Sequence, residues 1–153
     1  RIVLAADTIV WRRGRVFGKP KSFQDAEQML MHLSGQQHLV VTAIVLWDRE
    51  LGRLISGYAK TKVWLRSLSR FEVKNYLQKI SPLDKAGAYA IQARPKIVQK
   101  IEGSYSNVVG FPRELFRIMY RYIFKREKQH LKAQNIKIQK IPLRLTVKAS
   151  CKG

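Results

Sequence analysis

Asp7, Thr8, Lys19, Lys85 and Gln92 have side chains whose type and setting could do chemistry. Asp7 stands between two extended apolar pieces, Ile2 to Ala5 and Thr8 to Trp11, so its carboxylate belongs in or beside a strand. There it can accept backbone amides, as aspartates at strand ends commonly do, or offer oxygen to a divalent cation such as Mg²⁺ or Mn²⁺. Lys19 is held between Gly18 and Pro20 in a turn that limits where its ammonium points; taken alone it is an ordinary surface lysine. Asp84 and Lys85 either pair with each other or face a ligand, and the sequence weighs these two readings equally. Gln92 carries two donors and an acceptor on one amide, while Thr8 also suits a strand through its β-branch.

The elements that must position these groups are legible in outline. Arg12 to Arg15 around Gly14 reads as a turn. Ser22 and Asp25 form a cap, and Ala26, Met29, Leu30 and Leu33 follow helical spacing, predicting a helix from about Phe23 to Leu33. Leu39 to Trp47 is an apolar run too continuous for a half-exposed strand, so it is expected at the centre of a sheet, with a more exposed strand over Leu54 to Trp64. Ser69 and Glu72 make a second capping box, opening a helix that Ser81-Pro82 ends. Asp84 to Gln92 has loop character at Gly87. Gln99 to Tyr105 and Val108-Val109 read as extended, with Ser104 to Asn107 a turn between strands. Pro112 opens a long helix to about Lys132, in which Leu115, Ile118, Met119, Tyr122 and Ile123 form a core stripe. Ile136 to Ile138 and Leu143 to Val147 alternate like strands. Strands and helices in this order predict an α/β fold, a mixed sheet with flanking helices.

Composition excludes several classes. With 153 residues, 46% of them hydrophobic, the chain can form one compact core. Leu39 to Trp47 is about half the ~20 residues that a membrane-spanning helix needs. Residues 1–20 lack the order of a secretory signal, and Cys151 is the only cysteine, so a reducing, cytoplasmic setting is expected. His32, His38 and His130 have no metal-binding spacing and are expected in surface or hydrogen-bonded structural roles. The net charge of +20 favours phosphate-bearing partners. Residues 113–153, with twelve basic and two acidic side chains, carry half of it.

Five segments in order resemble the Maf family. They are Ala6-Asp7-Thr8-Ile9-Val10, Gly18-Lys19-Pro20, Leu33-Ser34-Gly35 with His38, Asp84 through Gln92, and Ile101 through Pro112. The resemblance covers about residues 3–115 and implies a two-lobed α/β structure around a nucleotide cleft, the fold shared with inosine triphosphate pyrophosphatases. It also implies pyrophosphatase activity on dTTP and UTP. Asp7 would orient water or bind a divalent metal, Lys19 and Lys85 would meet the substrate, and Thr8 and Gln92 would select the base.

The family pattern also opens with a strand and an S-x-S-P-R-R loop whose arginines grip the triphosphate, a segment absent from these 153 residues. The expectation is therefore an enzyme fragment, with residues 1–124 as the Maf-like domain and 125–153 as a basic extension. Ala93-Arg94-Pro95-Lys96 also replaces a glycine-containing turn of the family. The rival reading is a catalytically weak or inactive scaffold that binds nucleic acid or other anions. Tyr120, Tyr122 and Phe124 interleave with Arg117, Arg121, Lys125 and Arg126 in keeping with that reading, but no recognised nucleic-acid-binding motif accompanies the charge. A homodimer is among the assemblies the sequence allows, and no membrane partner is expected.

Overall fold

The computed structural model of the chain describes residues 2–125 and 136–140. The extended pieces on either side of Asp7 are one strand, β1 (Ile2–Arg12). Arg13 and Gly14, at φ 46° and 82°, reverse the chain into β2 (Arg15–Phe17), which lies antiparallel on the end of β1. Helix α1 (Phe23–Leu33) starts where expected, the Ser22 hydroxyl accepting the Asp25 amide at 3.1 Å. β3 (Gln37–Asp48) and β4 (Arg53–Leu65) form a long hairpin. Helix α2 (Arg70–Gln78) has both halves of the Ser69/Glu72 capping box. Two short 3-10 turns, Pro82–Asp84 and Ala86–Ala88, precede β5 (Val98–Glu102), α3 (Tyr105–Val109), α4 (Arg113–Lys125) and β6 (Ile136–Lys140).

The strand order is β2-β1-β3-β4-β5, with β6 pairing the other half of the β4 edge that β5 uses. The α/β class holds, but every described pair is antiparallel rather than mixed. The tight β1–β2 and β3–β4 connections require antiparallel pairing for those two pairs. β6 lies within the segment expected as a basic extension. The Leu143 to Val147 strand, the end of the long helix, His130 and Cys151 lie outside the described residues.

β3 is central, as expected, yet its burial alternates: its even-numbered residues are buried and Ala43 on the odd face is exposed. All the described helices with a large apolar face pack on the even side. At one end α1 and α2 cover Val10, Val40, Val63 and Leu65. At the other, Leu115, Met119 and Ile123 of α4 cover Ile44, Leu46 and Ile55, so the α4 stripe is core as expected. Each such side chain, fully buried, contributes roughly 1.5–3 kcal/mol.

Between these two apolar clusters runs a buried polar belt. Thr42, Thr61 and Asn107 are almost fully buried. Asn107 Nδ2 donates to Thr61 Oγ1 at 2.9 Å and to the Val40 carbonyl at 3.1 Å, and Thr42 Oγ1 donates to the Asn107 carbonyl at 3.3 Å. The belt corrects one expectation. Ser104 to Asn107 is no turn between strands, and Val108-Val109 is not extended; these residues form and flank α3. Ser104 Oγ caps its first turn by accepting the Asn107 amide, and Gly110 at φ 115° ends it.

Candidate functional site

One recess of about 400 Å³ gathers Asp7, Thr8, Lys19, Asp84, Lys85 and Gln92. Its walls come from elements far apart in the chain. Among the described strands β1 pairs on its outer side only at Val10 to Arg12, where β2 joins it, so Asp7 and Thr8 lie on an open stretch of edge. One Asp7 carboxylate oxygen accepts the Thr8 amide at 2.9 Å. The backbone-accepting role weighed for this aspartate is therefore real, and it engages one of two oxygens.

Thr8 is turned inward. Its hydroxyl lies 2.9 Å from that of Thr42 and so ties the recess to the buried belt.

The opposite wall hangs on Gly87. Its amide donates to the Gly18 carbonyl at 3.0 Å, fastening the Lys19 turn to the Asp84–Ala88 segment. Gly87 has φ 71°, and a Cβ there would lie 2.9 Å from Val10 Cγ2, so both the backbone and the space require glycine. Lys85 Nζ donates to Asp84 Oδ1 at 2.8 Å, so the pair forms, and both residues line the recess. The Lys85 hydrogen bond, with help from the charge of Lys19, lowers the Asp84 carboxyl below its ordinary range. Two ammonium groups thus stand beside one ionised carboxylate, with Asp7 in the same recess.

Ala90 to Gln92 has no regular secondary structure, yet two buried tyrosines fix its approach. Tyr76 of α2 donates to the Ala90 carbonyl and accepts its amide, both at 3.0 Å. Tyr89 Oη lies 2.7 Å from His38 Nε2, in the structural role expected of that histidine. Burial, with the charge of Arg12, holds His38 at about 4, so it is neutral near pH 7, and burial pushes the Tyr89 phenol up. Gln92 itself is exposed at the rim. The roles of Tyr76 and Asn107 lay beyond sequence reasoning, since nothing local marks a partner tens of residues away.

Metal-binding capacity is limited to oxygen. No group of three His, Cys, Asp or Glu side chains that could hold an ion occurs among the described residues. Asp7 and Asp84 supply two carboxylates in one recess, which suits a hard cation that takes its remaining ligands from phosphate and water. No described helix is long and apolar enough to cross a membrane.

Comparison with known proteins finds similarity along most of the chain. The family described as Maf-like protein matches residues 1–123. The dTTP/UTP pyrophosphatase of Methanosarcina barkeri (strain Fusaro / DSM 804) is 45% identical over 118 residues, covering 76% of this chain and 59% of the relative. That of Geotalea uraniireducens (strain Rf4) is 49% identical over 113 residues, covering 73% and 58%. That of Alkaliphilus metalliredigens (strain QYMF) is 44% identical over 112 residues, covering 72% and 58%. The chain thus spans somewhat under three fifths of the length of the curated relatives it matches.

Proposed function

Because the chain belongs to the Maf-like protein family, we propose that it carries the catalytic recess of a nucleoside triphosphate pyrophosphatase acting on dTTP and UTP. The observation that carries this reading is the meeting of Asp7, Lys19, Lys85 and Gln92 in one recess of about 400 Å³, a size that fits a nucleotide. Water attacks the α-phosphorus, the bond from that phosphorus to the α–β bridging oxygen breaks, and pyrophosphate leaves. The free Asp7 oxygen orients the water and accepts its proton. Lys19 and Lys85 balance the negative charge that gathers on the phosphate oxygens, the Gln92 amide faces the base, and Thr8, tied to Thr42, shapes the wall beside it. A Mg²⁺ or Mn²⁺ ion, held by Asp7 with Asp84, would supply electrostatic stabilisation of the triphosphate. A cytoplasmic setting and nucleotide metabolism follow from this reading.

The test is pyrophosphate release from dTTP and UTP with and without divalent metal. Asp7→Asn preserves shape and removes charge, and is expected to lower kcat about a hundredfold or more. Turnover at the level of the parent chain would overturn the assignment of Asp7.

A further inference from the structure

Beyond Gln92 the chain enters a second recess, of about 420 Å³, that shares Ile91 and Gln92 with the first. Arg94, Lys96, Lys100, Gln99 and Tyr105 line it, and its described lining contains no carboxylate. Lys100 divides its charge between Glu102, at 2.6 Å, and the ring of Trp64, at 4.9 Å. Arg94 and Lys96 make no ion pair among the described residues. The backbone beneath them is nonetheless fixed. The Lys96 carbonyl accepts Arg66 Nε at 3.2 Å, the Ile97 carbonyl accepts the Arg66 amide at 2.9 Å, and Ile97 is buried in the core. Tyr105 begins α3, and its side chain is 50% exposed.

A planar guanidinium and an ammonium lining one recess can both meet phosphate oxygens. An exposed aromatic ring offers a stacking surface to any base, and amides such as those of Gln92 and Gln99 can reach base edges. We infer that this recess is a second nucleotide site, with phosphate held by Arg94 and Lys96 and the base stacked on Tyr105. The nucleotide is either free or part of a single-stranded nucleic acid, the chemistry of recognition being the same. Gln92 belongs to both recesses, so filling one restricts the amide available to the other, and the two occupancies are coupled in both directions. The inference does not depend on catalysis in the first recess.

Binding is read by fluorescence anisotropy, with fluorescein-labelled dTMP and a fluorescein-labelled oligothymidylate as probes, on the parent chain and on Lys19→Ala. The Arg94→Ala/Lys96→Ala pair is expected to weaken binding about tenfold or more, and to flatten its fall between about 50 and 200 mM salt. Lys74→Ala/Lys79→Ala removes the same charge from α2 and its C-terminal cap, outside both recesses, and is expected to cost about twofold or less. Tyr105→Ala is expected to lower affinity about fivefold or more and Tyr105→Phe to restore it, because stacking needs the ring and not the hydroxyl. These side chains are exposed, and circular dichroism checks that each variant folds. Binding of both probes identifies a free-nucleotide site, and binding of the oligonucleotide alone identifies a strand. Equal losses in the two double variants, or a loss in Lys19→Ala as large as that in Arg94→Ala/Lys96→Ala, would overturn the inference. So would binding of neither probe.

Discussion

His38 is buried against Tyr89 and near the charge of Arg12, and burial leads the causes that hold it at about 4. An unfolded histidine takes up its proton near pH 6.5. Between that value and about 4 the unfolded chain binds a proton that the folded chain refuses, so stability falls as pH falls through this window. The loss expected between pH 7 and pH 4 is on the order of 3 kcal/mol, and denaturant melts of the parent chain and His38→Gln check it. An unchanged slope in His38→Gln would assign the effect elsewhere. Gln92 is exposed at the rim and outside the Asp84–Lys85 hydrogen bond, so Gln92→Glu is expected to alter the ratio of kcat/KM for dTTP over GTP more than kcat on the better substrate. An unaltered ratio would remove Gln92 from base selection. The carboxylate, lysines and amide were readable because each sits in a short motif beside a recognisable turn or strand. Asn107 and Tyr76 were not, since their partners Thr61 and Ala90 are brought to them only by the fold.

Helix starts were legible because capping is local: the Ser22 and Ser69 caps lie within three residues of their partners. At α2 the Ser69 amide, then the Arg66 guanidinium and Ser69 hydroxyl, hold the Glu72 carboxyl near 2. Its contribution is present above the ordinary glutamate range and is lost as pH falls from there toward 2. Ser69→Ala is expected to cost about 1 kcal/mol at pH 7 and appreciably less near pH 3, measured by urea unfolding. A cost independent of pH would show that the box does not act as a unit. α3 escaped detection because five residues carry too little periodicity to separate a helix from a turn. In β3 the reading failed differently. Val41, Val45 and Trp47 made a continuous apolar run, but they stand on the face that the described helices leave open.

That open face sets the behaviour of the whole molecule. Paired rows place Trp11 beside Leu39, Lys62 beside Leu39, Lys60 beside Val41, Tyr58 beside Ala43 and Trp47 beside Leu54. Lys60 stands over Tyr58 at 5.3 Å and Arg49 over Trp47 at 5.6 Å, so cations screen the aromatic rings without covering them. With the stretch of β1 edge that no described strand pairs beside it, this face is expected to drive self-association of the 153-residue chain, measured by light scattering after size exclusion. With a net charge of +20 opposing contact, association should grow as salt is raised. A monodisperse monomer at both low and high salt would show that the screening cations suffice. The three tryptophans of the chain, Trp11, Trp47 and Trp64, all project from this one face, so tryptophan emission observes only one side of the molecule. Anything that covers the sheet should shift that emission to the blue and shield it from acrylamide. Rearrangements beneath α1 and α2 should leave it nearly silent and appear instead in tyrosine absorbance, through Tyr76 and Tyr89.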